Sequence, residues 1–339
     1  MIRIDKNESP YRALTEEEIA KIAIDTQFNQ YSENEYQDLQ ESYAAFNQLD
    51  PELVSFANGS DEWIQKAVIV LGEGPILTFD PDFVMYDVYA KQFGREIIKL
   101  PANKDFTFDY EEVYKQIKAL RPSVFIFSQP NNPFGTLHPQ DFIIKAADLM
   151  KEVDGYFILD EAYGEFVENT VAPPEGDHII RLRTLSKVYG LAGLRIGVAT
   201  STRKTMDLLD SIAHPYPLNT FSLNVAVHLL NQPERLEKFI ELNRTLSKQL
   251  HSVFKDEVGD IIPMLDSSTN FLFTYGEDAM DLGRYIVENG FLPRMYPEET
   301  SPSLKNAVRY SIAKEDQLEE IRKIIQNWRD EKWPSRKNG

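Results

Sequence analysis

The chain has 339 residues, a length that fits about two domains, and 54 acidic against 36 basic residues give a net charge of −18. So acidic a surface repels phosphate backbones and anionic lipid, which argues against nucleic acid and membrane as partners. Cysteine is absent, and that excludes disulfides, thiolate catalysis, zinc ribbons and thiolate-held iron–sulfur clusters.

The opening segment Met1–Glu8 is charged and holds no apolar stretch of signal-peptide length. Apolar runs such as Ala67–Leu71 and Val124–Phe127 fall well short of the ~20 residues a membrane helix needs. The expectation is a soluble, cytoplasmic protein.

From Asn58 to Ala199, short apolar runs alternate with helical patterns. A helix follows Asn58-Gly59-Ser60-Asp61 and closes at Val68–Leu71. Strands are expected over Pro75–Phe79, Glu96–Leu100 and Ser123–Ser128. A Pro/Asn/Gly break follows at Gln129–Gly135. Pro139–Val153 has helical spacing, with Phe142, Ile143, Ala146 and Leu149 on one face. Tyr156–Leu159, Ile179–Leu185 and Ile196–Ala199 read as further strands. Such alternation points to an α/β fold with a mostly parallel central sheet flanked by helices.

The last ~90 residues differ in character and read as a smaller α+β domain. Leu236–Phe254 reads as a long helix. Phe271–Thr274, Phe291–Met295 and Ala307–Ile312 read as short strands separated by helices. Gln317–Trp328 closes as an amphipathic helix with Leu318, Ile321, Ile325 and Trp328 on one face, and a frayed tail is expected from Lys332 to Gly339.

Three features sit where a parallel sheet presents ligands, at the carboxyl ends of strands. They are Pro130-Asn131-Asn132-Pro133-Phe134-Gly135, Leu159-Asp160-Glu161-Ala162-Tyr163, and the stretch Thr184–Gly197. The last carries Ser186-Lys187 after a strand, then Arg195 eight residues on in a Gly-rich turn. Taken singly, each has a bland reading: a turn, a helix cap or surface charge, a chance Ser-Lys pair. Their order and spacing together give them weight. The five histidines (His138, His178, His214, His228, His251) show no ligand spacing, so no metal is expected.

Together these motifs resemble the signature of fold-type-I, pyridoxal-phosphate (PLP) dependent aminotransferases of class I and II, and most nearly the histidinol-phosphate aminotransferases. The resemblance runs from Asp5-Lys6-Asn7-Glu8 to Val308-Arg309-Tyr310-Ser311-Ile312, by way of Gly59-Ser60-Asp61-Glu62, Pro215-Tyr216-Pro217-Leu218 and Ser268-Thr269-Asn270-Phe271. It implies a large PLP-binding domain over 30–245 and a small domain from 1–29 and 246–339. It also implies a ping-pong, Schiff-base transfer of an amine between histidinol phosphate, or a related amino acid, and 2-oxoglutarate.

By that resemblance Lys187 holds the PLP aldehyde, Asp160 keeps the pyridine nitrogen protonated, and Tyr163 and Asn132 meet the ring's 3-oxygen. Ser60, Asp61, Ser186 and Arg195 receive the phosphate. Phe83 stacks on the ring, with core packing as its plain alternative. Arg309 clamps a substrate carboxylate and Arg294 a substrate phosphate, an ordinary surface arginine being the alternative for Arg294. Asn7 and Glu8 cover the substrate. Tyr31 reaches the cofactor phosphate of a neighbouring subunit, which implies a homodimer. Three departures stand out: Phe134 where the family has Thr, and Ser9 and Arg12 in the segment expected to line the substrate pocket. Relatives with nearly the same motifs include aromatic amino acid aminotransferases and amino acid O-phosphate decarboxylases. A non-catalytic ligand-binding domain of this fold is a further possibility, against which the intact Lys187, Asp160 and Arg195 argue.

Overall fold

The structure is a computed structural model that describes residues 1–168, 174–296 and 301–332. Its strands are β1 (Ile2–Ile4), β2 (Val54–Asn58), β3 (Ile76–Asp80), β4 (Ile97–Pro101), β5 (Val124–Ser128), β6 (Tyr156–Asp160), β7 (Ile179–Thr184), β8 (Ile196–Thr200), β9 (Phe271–Tyr275), β10 (Phe291–Tyr296) and β11 (Ala307–Ser311). Seven of them form one sheet in the order β2-β8-β7-β6-β5-β3-β4. The pairs β3–β4, β3–β5, β5–β6 and β6–β7 are parallel, whereas β8 runs antiparallel to both β7 and β2. The fold is thus α/β with a mostly parallel sheet, as the alternating pattern predicts.

The reason lies in the strands themselves. A strand covered on both faces has no polar side to show, so it reads as a continuous apolar run. In β5, Val124 and Ile126 pack with Trp63, Ile64 and Tyr86 on one face. Phe125 and Phe127 point the other way, among Val113, Phe142, Ala146 and Phe157. Alternate side chains therefore feed two separate layers. Helices Ser60–Val70, Met85–Gln92 and Arg203–Asp210 supply the first layer, and Tyr110–Leu120 and Gln140–Glu152 the second.

The second sheet has the order β1-β10-β11-β9. Helices Pro233–Val258, Glu277–Glu288 and Glu315–Lys332 bury Leu250, Phe254, Leu282, Ile286, Leu318, Ile321, Ile325 and Trp328 against it. Two details differ from the expectation. A helix does separate β9 from β10, but the described residues between β10 and β11 form only the short 3-10 turn Pro302–Leu304. Strand β1 is an addition, held through Ile2–Ile4 pairing with Phe291–Pro293. Of the tail expected to fray, 333–339 lie outside the described residues.

This topology gathers one edge. Because β8 reverses direction after β7, the connection Leu185–Arg195 emerges at the carboxyl ends of the parallel strands. Because β2 is antiparallel to β8, Asn58 pairs with Ile196 and β2 also ends there. Asn58–Asp61, Asp80–Phe83, Ser128–Asn132, Asp160–Tyr163 and Ser186–Arg195 therefore share one rim of the sheet, the rim where open α/β sheets hold ligands.

Candidate active site

Two cavities, of about 510 Å³ and 320 Å³, open along this rim. Both are lined by Lys6, Phe83, Asn132, Tyr163 and Lys187, so Lys187 stands where they join.

The smaller cavity has an anion cradle at one end. Helix Ser60–Val70 begins after Gly59, which has φ 79° and gives the helix no side-chain cap, so the first N–H groups keep their hydrogen-bonding capacity. The Arg195 guanidinium lies beside them, with Nη2 donating to Asp61 Oδ2 at 2.9 Å, while Gly59 N donates to Arg195 O at 2.9 Å. The backbone approach demands glycine at 197, and the positive φ favours it at 59. A Cβ on Gly197 would stand 2.1 Å from Gly59 C, and one on Gly59 would stand 2.3 Å from Arg195 Nη2. The Ser186 hydroxyl, which accepts from Thr184 Oγ1 at 2.9 Å, faces the same space. Backbone donors, two hydroxyls and one guanidinium suit a phosphate.

The same cavity is lined by Asp160, 3% exposed at the carboxyl end of β6. Its Oδ2 accepts from Tyr86 OH at 2.7 Å and its Oδ1 from Ala162 N at 3.1 Å. It has no ion-pair partner among the described residues, and burial pushes its pKa up to about 6. Burial, reinforced by the Asp160 charge, holds the Tyr86 hydroxyl well above its ordinary range. A buried carboxylate in this state takes either a proton or a cation. A protonated ring nitrogen meets that need. Lys187 Nζ lines the same cavity, donating to Lys6 O at 3.1 Å, 5.7 Å from the Tyr163 ring centre. The residues present fit a cofactor with an aldehyde, a phosphate and a basic ring nitrogen. Phe83 lines both cavities and meets Tyr86 edge-on at 5.6 Å.

The larger cavity draws on the second sheet. Arg309 in β11 and Arg294 in β10 are directly opposite in register, so their side chains leave the same face of the sheet. Arg309 is 8% exposed; Nη1 donates to Asn132 Oδ1 at 2.5 Å and Nη2 to Asp5 O at 2.8 Å. Its buried Nε has no hydrogen-bond partner among the described residues. Arg294 lies over the Tyr296 ring at 5.3 Å. Asn7 is buried with φ 57°, donates from Nδ2 to Tyr163 OH at 2.8 Å, and is pinned by Ser311 and Asn270. Glu8 reaches the smaller cavity.

Some expectations fall elsewhere. Ser9 turns its hydroxyl back to the Tyr11 backbone and Arg12 pairs with Glu16 in solvent, so neither lines either cavity. Phe134 enters the core, edge-on to Phe106 at 5.2 Å and to Phe273 at 5.3 Å. Tyr31 is 75% exposed, stacked on Tyr216 at 4.4 Å beside a separate cavity with Phe28 and Asn58, and does not join Lys187 within one chain. Conversely, Tyr86, Asp80 and Asp82 line the larger cavity with no motif to mark them in the sequence. Their one signal there is position, just beyond the apolar run of β3.

The model of the family "Aminotransferase class I and II" matches residues 2–326. The histidinol-phosphate aminotransferase of Pyrococcus furiosus is 31% identical over 334 residues, covering 97% of this chain and 93% of that protein. The one from Caldanaerobacter subterraneus subsp. tengcongensis is 29% identical, covering 93% and 89%. Among solved structures, histidinol-phosphate aminotransferase from Sinorhizobium meliloti, in complex with pyridoxal-5'-phosphate, superposes with a TM-score of 0.83 at 23% identity, covering 96% and 91%.

Proposed function

The chain belongs to the class I and II aminotransferases, and from that membership we propose that it uses PLP to move the amine of histidinol phosphate to 2-oxoglutarate, yielding glutamate. When bound, PLP supplies an aldehyde that takes up the amine and a ring that draws electron density away from the donor's Cα. The observation that most supports the reading is the buried Asp160 carboxylate, which has no ion-pair partner among the described residues and shares one rim with Lys187 and the Arg195 cradle.

Each role then follows from the residue's surroundings. Asp160 keeps a proton on the ring nitrogen, because its burial makes a cationic N–H the best available partner. Lys187 Nζ would hold the aldehyde, and its free amine would take up the proton at the donor's Cα. Tyr163 and Asn132 meet the ring oxygen, and Phe83 covers the ring. Ser60, Asp61, Ser186 and Arg195 fix the phosphate end so that the ring cannot turn. Arg309 reads the carboxylate of glutamate and 2-oxoglutarate with a bidentate fork, Arg294 meets the phosphate of histidinol phosphate, and Asn7 closes the site beside Tyr163.

The reading extends to a cytoplasmic homodimer with a large domain over 30–245 and a small one from 1–29 and 246–339. Two separately packed sheets support the division. The exposed Phe28, Tyr31 and Tyr216, close to Asn58, support a neighbour whose site Tyr31 completes.

A donor panel tests the proposal. With 2-oxoglutarate present, histidinol phosphate yields glutamate faster than phenylalanine or tyrosine does. Faster turnover of the aromatic amino acids, or release of carbon dioxide from an amino acid O-phosphate with no keto acid present, overturns it.

A further inference from the structure

We propose that Asp82 is a positioning residue that, through Ser128 and Asn132, sets the pose in which Arg309 meets the substrate carboxylate; this rests on reading Arg309 as the carboxylate clamp.

Asp82 follows the end of β3 and faces the larger cavity. Its Oδ1 accepts from Ser128 Oγ at 2.5 Å and from its neighbour's amide, Phe83 N, at 2.7 Å, and its Oδ2 accepts from Ser128 N at 3.1 Å. A serine hydroxyl has one proton and two lone pairs. With the proton committed to Asp82, a lone pair of Ser128 Oγ is aimed at Asn132 N, which donates to it at 2.9 Å. Asn132 in turn presents Oδ1 to Arg309 Nη1 at 2.5 Å. A second tie runs alongside, from Asn131 Nδ2 to Pro81 O at 3.3 Å. The connection from β3 therefore clasps the connection from β5, and the clasp ends on the guanidinium.

The arrangement has a direction. Among the described residues, Arg309 has two other fixed features: the Asp5 carbonyl on Nη2 and the Phe271 ring at 5.2 Å. Asn132 Oδ1 holds its remaining fork, and a bidentate partner is read only while both edges of the guanidinium are oriented. The other ionisable groups against Asp82 are Asp160 and Tyr86, which approach from β6 and from helix Met85–Gln92. Neither donates to Asp82, so its tie to Ser128 stands apart from the Tyr86–Asp160 bond.

The test uses PLP-loaded enzyme and glutarate, an inert dicarboxylate, with binding measured by calorimetry, alongside steady-state kinetics with 2-oxoglutarate. Asp82→Ala is expected to weaken glutarate about tenfold and raise the KM for 2-oxoglutarate to match, with kcat held within about twofold. Asp82→Asn keeps an oxygen for Ser128 Oγ but turns its amide nitrogen to Ser128 N, so its glutarate affinity falls, by less than that of Asp82→Ala. Should Asp82→Ala not fold, Ser128→Ala removes the same link while leaving the carboxylate, and the same loss is expected. Arg309→Lys is the reference. If it weakens glutarate while Asp82→Ala and Ser128→Ala bind as the parent does, the positioning role is overturned. If Arg309→Lys itself binds glutarate normally, the clamp reading fails instead, and the positioning role with it.

Discussion

Replacing Asp160 with Asn should make the cofactor-free protein more stable and the loaded enzyme nearly inert. Asp160 is 3% exposed, and burial lifts its pKa from an ordinary 3.8 to about 6. The folded state thus favours the protonated carboxyl. The stability this group contributes is full below pH 3.8 and is lost as pH rises through about 6. A shift of that size corresponds to about 3 kcal/mol of destabilisation at pH 8, at 1.36 kcal/mol per unit. Asn removes the charge, but its amide faces either Tyr86 OH or Ala162 N, both of which are donors in the parent. That mismatch costs about 1 kcal/mol and leaves a net gain of about 2 kcal/mol. For a chain of this length the gain is about 3 °C in melting temperature. The assay is urea denaturation of the cofactor-free parent and Asp160→Asn side by side from pH 4 to pH 8. Their difference should grow between pH 4 and about 6 and stay constant above. In the loaded enzyme the order reverses, since Asn cannot hold a proton on the ring nitrogen. A stability difference that does not change with pH, or an Asn variant weaker than the parent at pH 8, refutes the reasoning.

Other outcomes follow from the same geometry. Lys187→Ala should fold normally but lose turnover and the visible absorbance of lysine-bound cofactor, and retention of either contradicts its role. Gly197→Ala places a Cβ 2.1 Å from Gly59 C, so it should cost about 2 kcal/mol in denaturation and weaken PLP in equilibrium dialysis. Tyr31→Ala removes an exposed ring and should leave monomer stability unchanged while lowering PLP affinity of a protein that sediments as two chains. A parent that sediments as one chain contradicts the shared-site reading.

Much of this was legible because the decisive signals are local. Strands β5 and β6 are unbroken apolar runs, covered on both faces and ended by Pro-Asn-Asn or by Asp-Glu, so their carboxyl ends can be found without a structure. Asp160, Lys187 and Arg195 stand at such ends or in the turn that follows. The rest depended on contacts that sequence distance hides. Tyr86 reaches Asp160 across 74 positions and Ser128 reaches Asp82 across 46. Strand β1, three residues long, exists only through its pairing with β10. Phe134 reads as a change in the cofactor loop, yet its ring turns inward to Phe106 and Phe273, because an aromatic side chain gains more from the core than from a wet cavity. Net charge speaks for the surface and not for the site. The chain carries a net charge of −18, yet basic side chains line the two cavities in the same number as acidic ones, with Lys187, Arg195, Arg294 and Arg309 among them.

The most direct test of amine transfer from histidinol phosphate follows the nitrogen itself. Histidinol phosphate with an isotopically labelled amine is mixed with PLP-loaded enzyme and unlabelled 2-oxoglutarate, and the glutamate formed is examined by mass spectrometry. The account predicts label in glutamate for the parent and none for Lys187→Ala. Glutamate that stays unlabelled, or fails to form while another amino acid is turned over, contradicts it.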